Sequence, residues 1–387
     1  MDETALLRVH HDITLALDNN ICAVLVMLDL SAAFDIIDHT ILFQRLEYSY
    51  GISGPALAWI RSYLTNRTQR IAIGSVFSND MHLKYGVPQG SVLGPRLYCL
   101  FSKPIDEICW QNDMDYHCYT DDTQVYLVIE PLDKWTGISN RIEACLADIS
   151  EWMRSSLLKL NQDKTEVIVF APTHRVKDFS DCRLSFDGIV VSDVSCVRNL
   201  GVFFDKALSM EKRVSATSKS CFYQIRNIGR IRTYITDDAC MTLVNSLVPS
   251  RLDYGNAMLY GLPVNITNKL QRVQNTTAWL ISRTKKHQHI TPILVSLHWL
   301  PVHYRCQYQL LMYVFKSLHG SAPIYLQELV SVYQPTRSLR SENSALIKPP
   351  RIRTKTYGEW RFDKAAATLW NILATWSIEE WTITFLF

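Results

Sequence analysis

The sequence predicts an α+β fold, an antiparallel sheet with helices on one face followed by a mostly helical second half. Three observations predict it. "CAVLVMLDL" (22–30) is an unbroken aliphatic run that ends on an aspartate, the pattern of a fully buried strand. "YHCYTDDTQVYLV" (116–128) sets Asp121 and Asp122 between apolar arms and reads as strand–turn–strand. From about Ala207 onward, strand patterns give way to helical ones rich in Arg and Lys.

The elements follow in order. After the first strand, "SAAFDIIDHTILFQRL" carries Ile37, Ile41, Leu42 and Leu46 at helical spacing, so the strand feeds a helix. "GPALAWIRSYLTNR" reads as a short helix and "QRIAIGSVFSNDMHLKYGVPQG" as a hairpin ending in a loop. "SVLGPRLYCLFSKPIDEI" reads as one helix with Val92, Leu93, Leu97, Leu100, Phe101 and Ile105 on one side. The stretch 135–158 carries Ile138, Ile142, Cys145, Leu146, Ile149, Trp152 and Met153 at three- to four-residue spacing, an amphipathic helix. "TEVIVF" is a strand, and "CVRNLGVFFD" is another, broken by glycine. The segment 333–353, "YQPTRSLRSENSALIKPPRIR", is expected to be a loosely structured basic link, and the tail "TWSIEEWTITFLF" to be disordered.

With 387 residues and 48% hydrophobic content, the chain can bury a sizeable core in two or three domains. Net charge is only +3, but its distribution is uneven. Residues 1–200 carry 17 Lys and Arg against 26 Asp and Glu, whereas residues 201–387 carry 23 against 11. That swing suggests a polyanionic partner gripped mainly by the second half. The ten cysteines are scattered, with no C-x-x-C pair and no zinc spacing, which fits a reducing compartment. The apolar run Ile21–Leu28 stops at Asp29, too short to span a bilayer. With no signal peptide in view, the expectation is an intracellular protein of nucleus or cytoplasm, without a membrane partner.

Asp29 ends the first buried strand, and Asp121 and Asp122 cap a hairpin with apolar arms. If these strands are neighbours, three carboxylates converge at one sheet edge and need cations to stay ionised. Hard oxygen ligands with room for water and phosphate fit Mg²⁺, with Mn²⁺ as the alternative. Two such ions about 4 Å apart would activate a 3′-hydroxyl and stabilise a leaving pyrophosphate. Taken alone, an Asp-Asp turn is ordinary hairpin chemistry, and an Asp after a strand is often a helix cap.

"LVMLDLSAAFDIIDH", "GVPQGSVLGP", "YTDDTQVY", "LLKLNQDKTEVIVF" and "NLGVFFD" resemble, in order and spacing, the successive palm motifs of reverse transcriptases. The nearest resemblance is to non-LTR (long interspersed element) retrotransposons, and it continues through "LDYGNAMLYGLP", "LQRVQNTTAWLI", "HITPILVSLHWLPVHYR" and "SLHGSAPIYL". It implies an RNA-directed DNA polymerase that uses an RNA template, a DNA primer and dNTPs. It implies domains of 1–205 (palm), 206–275 (helical thumb) and 276–387 (C-terminal helical and basic region). The family's upstream fingers are expected to be largely missing, since the chain starts shortly before Asp29.

Asp29, Asp121 and Asp122 match the family's metal-binding catalytic carboxylates. Phe34 matches the position whose ring excludes a ribose 2′-OH. Gly86, Pro88, Gln89, Gly90 and Ser91 match the loop beside the incoming nucleotide, where glycine allows close backbone approach. Lys164 matches the lysine proposed to protonate pyrophosphate, and Leu200 and Gly201 match the turn that grips the primer. Two other readings stay open on the residues alone: a non-catalytic relic that binds nucleic acid or a partner, and a palm-fold RNA-dependent RNA polymerase, against which Phe34 weighs.

Overall fold

The computed structural model describes residues 2–30, 33–120, 122–129, 133–172, 174–179, 182–334 and 346–374. It is mixed helix and sheet and divides into two compact units, Cys22–Ser195 and Met1–Ile21 with Cys196–Phe387. Compactness therefore divides the chain differently from the expected 1–205, 206–275 and 276–387. Among the described residues no helix is long and apolar enough to cross a membrane.

The chain opens with helix α1 (Asp2–Asp18), which belongs to the second unit. The first unit begins with β1 (Cys22–Leu28), α2 (His39–Tyr48) and α3 (Gly54–Leu64). Four two-residue strands follow: β2 (Thr68–Gln69), β3 (Ala72–Ile73), β4 (Val76–Phe77) and β5 (Met81–His82). Then come α4 (Leu93–Ser102), α5 (Pro104–Gln111), β6 (Asp115–Tyr119), β7 (Asp122–Ile129) and α6 (Trp135–Ser155). The unit closes with β8 (Glu166–Phe170), β9 (Arg183–Phe186) and β10 (Ile189–Ser192).

Its main sheet has the order β6-β7-β1-β8 and is antiparallel throughout. β1 is central, paired with β7 from Cys22↔Ile129 to Leu28↔Thr123 and with β8 from Ala23↔Phe170 to Met27↔Glu166. Cys22, Val24, Val26 and Leu28 on one face of β1 join a core with Tyr98 and Phe101 of α4, Ile105 of α5, and Ile142, Cys145 and Ile149 of α6. Ala23 and Leu25 on the other face are buried too. This is why the strand reads as an unbroken apolar run rather than an alternating one.

Local chemistry moves some boundaries away from the sequence expectation. α2 starts only at His39, because the Asp38 carboxylate accepts from the N–H groups of Thr40 (2.7 Å) and Ile41 (3.0 Å) as an N-cap. The single helix expected over 91–108 is two helices, with Pro104 at the start of α5, where a missing N–H is tolerated. The β9–β10 hairpin was not expected. Its turn is Asp187-Gly188, both at positive φ (53° and 78°), a two-residue hairpin signal. Asp187 also ties the hairpin to α6 by accepting from Ser150 Oγ (2.5 Å) and Arg154 (2.9 Å).

The second unit adds β11 (Cys196–Asn199), β12 (Val202–Asp205), α7 (Glu211–Ile231), α8 (Asp237–Leu247), α9 (Pro249–Asp253) and α10 (Val264–Ser282). α11 (Thr291–Ser296), α12 (Val302–Leu318), α13 (Ile324–Gln327), α14 (Lys355–Trp360) and α15 (Phe362–Ala374) complete it. β11 and β12 pair with each other and stand outside the four-stranded sheet. The motifs seen after the palm resemblance serve as staples here. Arg305 pairs with Asp253, Gln274 Nε2 donates to the Leu300 carbonyl (2.8 Å), and Trp360 Nε1 donates to the Gly261 carbonyl (3.1 Å).

Part of the expected loose link is fixed. Tyr333 N–H donates to the Leu346 carbonyl (2.7 Å), and the Asn371 amide pairs with both Ile347 N–H and C=O. Residues 335–345 and the tail 375–387 lie outside the described residues.

α1 is buried nearly all round despite its polar composition. Its last residue, Asp18, accepts from Arg353 N–H (3.0 Å), Thr354 N–H (2.7 Å), Thr354 Oγ1 (3.0 Å) and Arg361 Nη1 (2.9 Å). Burial alone would raise its pKa. Hydrogen bonds from Thr354, Arg361 and Arg353 outweigh that and hold it below the usual carboxylate value. Replacing Asp18 by Asn leaves Arg361 paired with Asp363 alone and weakens the charged hydrogen bonds to 353–354, so we expect a loss of about 1.5–3 kcal/mol in denaturant unfolding; a loss below about 0.5 kcal/mol would contradict the assignment.

His10 is fully enclosed, with its ring edge toward Phe204 at 6.2 Å between centroids. Burial first, then His11 and Arg213, lower its pKa from 6.5 to about 3. The unfolded chain takes a proton near pH ~6.5 that the folded chain refuses, so stability is complete above that pH and falls as the pH drops toward about 3. His10→Phe should flatten the unfolding free energy between about pH 6.5 and 4; a slope equal to wild type would remove His10 as its source.

Candidate active site

The corner predicted from Asp29 forms where β1 leaves the core. The Asp29 carbonyl accepts from Asn161 N–H at 2.8 Å, and Leu30 bridges Leu160, so the segment after α6 is laced to the end of β1. A short 3-10 turn, Gln162–Lys164, follows and places Lys164 Nζ 3.3 Å from Asp29 Oδ2. Lys164 is largely exposed (66%) and Asp29 mostly covered (28%). Among the described residues Asp29 Oδ2 is enclosed and makes no hydrogen bond. An enclosed carboxylate oxygen beside a cationic side chain is a suitable ligand for a hard metal ion.

The β1–β7 register, continued one step beyond Leu28↔Thr123, sets Asp29 opposite Asp122. Asp122 opens β7 and closes the hairpin against Tyr119. Thr120 in the turn has φ +55°, a left-handed conformation that β-branched residues rarely adopt and that concentrates at functional sites. Asp121 lies outside the described residues. Among the described residues, to which Asp121 does not belong, no three His, Cys, Asp or Glu side chains gather as a metal site.

The loop over 86–91 is zipped to the turn after Asp29. Gly86 N–H donates to the Ile37 carbonyl and Val87 N–H to the Phe34 carbonyl, both at 2.8 Å. Gly86 has φ +83°, and a Cβ there would sit 2.7 Å from the Asp35 carbonyl oxygen, so only glycine fits. Its own carbonyl meets His39 Nε2 (2.8 Å) and Arg67 Nη1 (3.3 Å). Ser91 Oγ donates to the Pro88 carbonyl and accepts from Gly94 N–H, which starts α4. Gln89 Nε2 donates to both Asp35 oxygens. Phe34 is half-buried, with its ring 5.4 Å from that of Tyr98.

Leu200 and Gly201 form the two-residue turn of the β11–β12 hairpin, at φ +42° and +82°. Tyr254 holds that turn: its hydroxyl donates to the Leu200 carbonyl (2.7 Å), while its own carbonyl accepts from Arg213 (2.5 Å). This turn belongs to the second unit.

The structure thus pairs Lys164 with Asp29, starts β7 at Asp122 one residue before the partner of Leu28, and joins the Phe34 backbone to the loop of Gln89 and Gly90. Residues that sequence reasoning missed are Asp35, His39, Asn161 and Tyr254. Asp35 and His39 sit in the same quoted stretch as Asp29, and Tyr254 in "LDYGN", but nothing local announces their partners.

A family profile described as reverse transcriptase (RNA-dependent DNA polymerase) matches residues 5–204. The chain belongs to the reverse transcriptase family. Among curated relatives, the probable RNA-directed DNA polymerase from transposon BS of Drosophila melanogaster is 24% identical over 65% of this chain and 28% of that protein. The probable RNA-directed DNA polymerase from transposon X-element of the same fly is 24% identical over 73% of this chain and 32% of its own length. The RNA-directed DNA polymerase from mobile element jockey is 24% identical over 69% and 29%. The chain therefore spans about a third or less of the length of these relatives. A solved structure of telomerase from Candida albicans, in complex with a TWJ fragment of telomeric RNA, covers 84% of this chain and 53% of its own at 13% identity. Its TM-score of 0.35 is too low to carry an argument.

Gly86→Ala should separate the 86–91 loop from the Phe34–Ile37 turn, at about 1–3 kcal/mol of local stability. Faster amide hydrogen exchange at Gly86 and Val87 checks this, and unchanged exchange would refute the close approach.

Proposed function

We propose that the chain acts as an RNA-directed DNA polymerase, extending a DNA primer on an RNA template by nucleotidyl transfer from dNTPs. The observation that supports this is the β1–β7 pairing, which runs to Leu28↔Thr123, one residue short of Asp29 and Asp122, together with Lys164 Nζ 3.3 Å from Asp29 Oδ2. In the reaction the primer 3′-oxygen forms a bond to the α-phosphorus, and the bond from that phosphorus to pyrophosphate breaks. Asp29, Asp121 and Asp122 would hold two Mg²⁺ ions, or Mn²⁺, which when bound lower the charge on the reacting oxygens and orient them. Lys164, on its exposed turn, donates a proton to the departing pyrophosphate.

Phe34, backed by Tyr98, presents its ring where a ribose 2′-OH would have to fit, which favours deoxynucleotides. Gln89 and Gly90 line the nucleotide side, and Leu200 with Gly201 contact the primer. α7 shows Lys212, Lys219, Arg226 and Arg230 exposed at spacings that share one face, a stripe about 27 Å long. That stripe suits the phosphates of a primer–template duplex, which position it without reading its sequence. By role, residues 1–205 are the palm, 206–275 the thumb and 276–387 a C-terminal region.

The test is extension of a DNA primer on an RNA template with Mg²⁺, comparing wild type with Asp29→Ala and Asp121→Ala. Each variant should fall at least about 100-fold. Equal extension by wild type and variants, or salt-sensitive duplex binding with no extension by any of them, would overturn the polymerase assignment.

A further inference from the structure

We propose that Asp35 is a positioning residue that turns the Gln89 amide so that its carbonyl oxygen, rather than its NH₂ group, is offered to the sugar of the incoming nucleotide. This rests on the assignment of Gln89 to the nucleotide site. Gln89 Nε2 lies 3.0 Å from Asp35 Oδ1 and 3.1 Å from Oδ2. An ionised carboxylate can only accept hydrogen bonds. The group facing it must therefore be the NH₂, so chemistry decides an amide orientation that is often ambiguous. Among the described residues nothing donates to Gln89 Oε1.

The spacing of the pair is fixed from the backbone, not by the two flexible side chains. Gly86 packs against the Asp35 main chain, where a Cβ would stand 2.7 Å from the carbonyl oxygen. The two flanking hydrogen bonds, Val87 to Phe34 and Gly86 to Ile37, tie the loop down on either side of Asp35. His39, itself buried, holds the Gly86 carbonyl. Asp35 and Gln89 are both exposed, so a ligand can reach them.

Phe34, the neighbour of Asp35, is assigned to the sugar, so a free acceptor here is placed to meet a sugar hydroxyl donor. The arrangement also occupies the Asp35 oxygens, so the group that faces the nucleotide is the amide oxygen of Gln89. Once the nucleotide excludes water, the Asp35–Gln89 bonds strengthen and hold that orientation more firmly.

The test is steady-state primer extension with a dNTP and with the matching 2′,3′-dideoxynucleotide, which lacks the 3′-hydroxyl. Asp35→Asn is nearly isosteric but lets the amide face either way. It should raise KM for the dNTP about tenfold, change kcat less than about twofold and leave KM for the dideoxynucleotide nearly unmoved. Gln89→Met should lose the same discrimination from the other side, and the double variant should be no worse than Gln89→Met alone. A merely structural Asp35 would weaken both nucleotides alike, and that result overturns the inference. Wild-type extension with discrimination unmoved by either variant also removes it, leaving the polymerase assignment intact. No extension by wild type removes both.

Discussion

Everything at the proposed active corner depends on β1 being paired along both edges. With β7 on one side and β8 on the other, its register is set twice. A slip of one residue would exchange its two buried faces and move Asp29 away from both Asp122 and the Asn161 turn. Such a slip would bury the carboxylate or draw aliphatic residues out to the edge. Core and chemistry are therefore specified by the same strand, and the aspartate falls where the apolar run ends because that is where the backbone leaves the core.

Around that strand, the corner is assembled by main-chain contacts more than by side-chain ones. The Asp29 carbonyl is held by Asn161, the Phe34 carbonyl by Val87, and the Ile37 carbonyl by Gly86. Two distant loops are fixed to the end of β1 without using any of the groups that would act on a substrate. Side chains such as Lys164 and Gln89 take no part in that frame, which is set by hydrogen bonds indifferent to most substitutions. Gly86 is the exception, since its lack of a Cβ is what lets the frames meet.

Much of the first unit was legible in the sequence because its signals are local. The apolar run of β1, the Asp-Asp hairpin and the repeat of α6 each announce themselves within a few turns of chain. The order of motifs along the chain then proposed the carboxylates and Lys164 as site residues. What escaped has partners far away in sequence. Asp35 shows its relation to Gln89 only after a 54-residue connection folds back. α1 was hidden for another reason: Arg8, His10, His11, Asp12 and Asp18 make it look like a surface segment, whereas it is enclosed on nearly every side.

That enclosure has a consequence for the order in which the molecule can be completed. Asp18 and Arg361 are 343 positions apart, so α1 leaves the ribosome on the order of 20–70 s before its ionic partner is synthesised. The sheet around β1 needs nothing beyond β8 and can close in the meantime. A helix of aliphatic residues alone would spend that interval as an adhesive surface. The polar groups that disguise α1 in the sequence keep it hydrated while it waits, and become buried only when the last helices arrive to receive them.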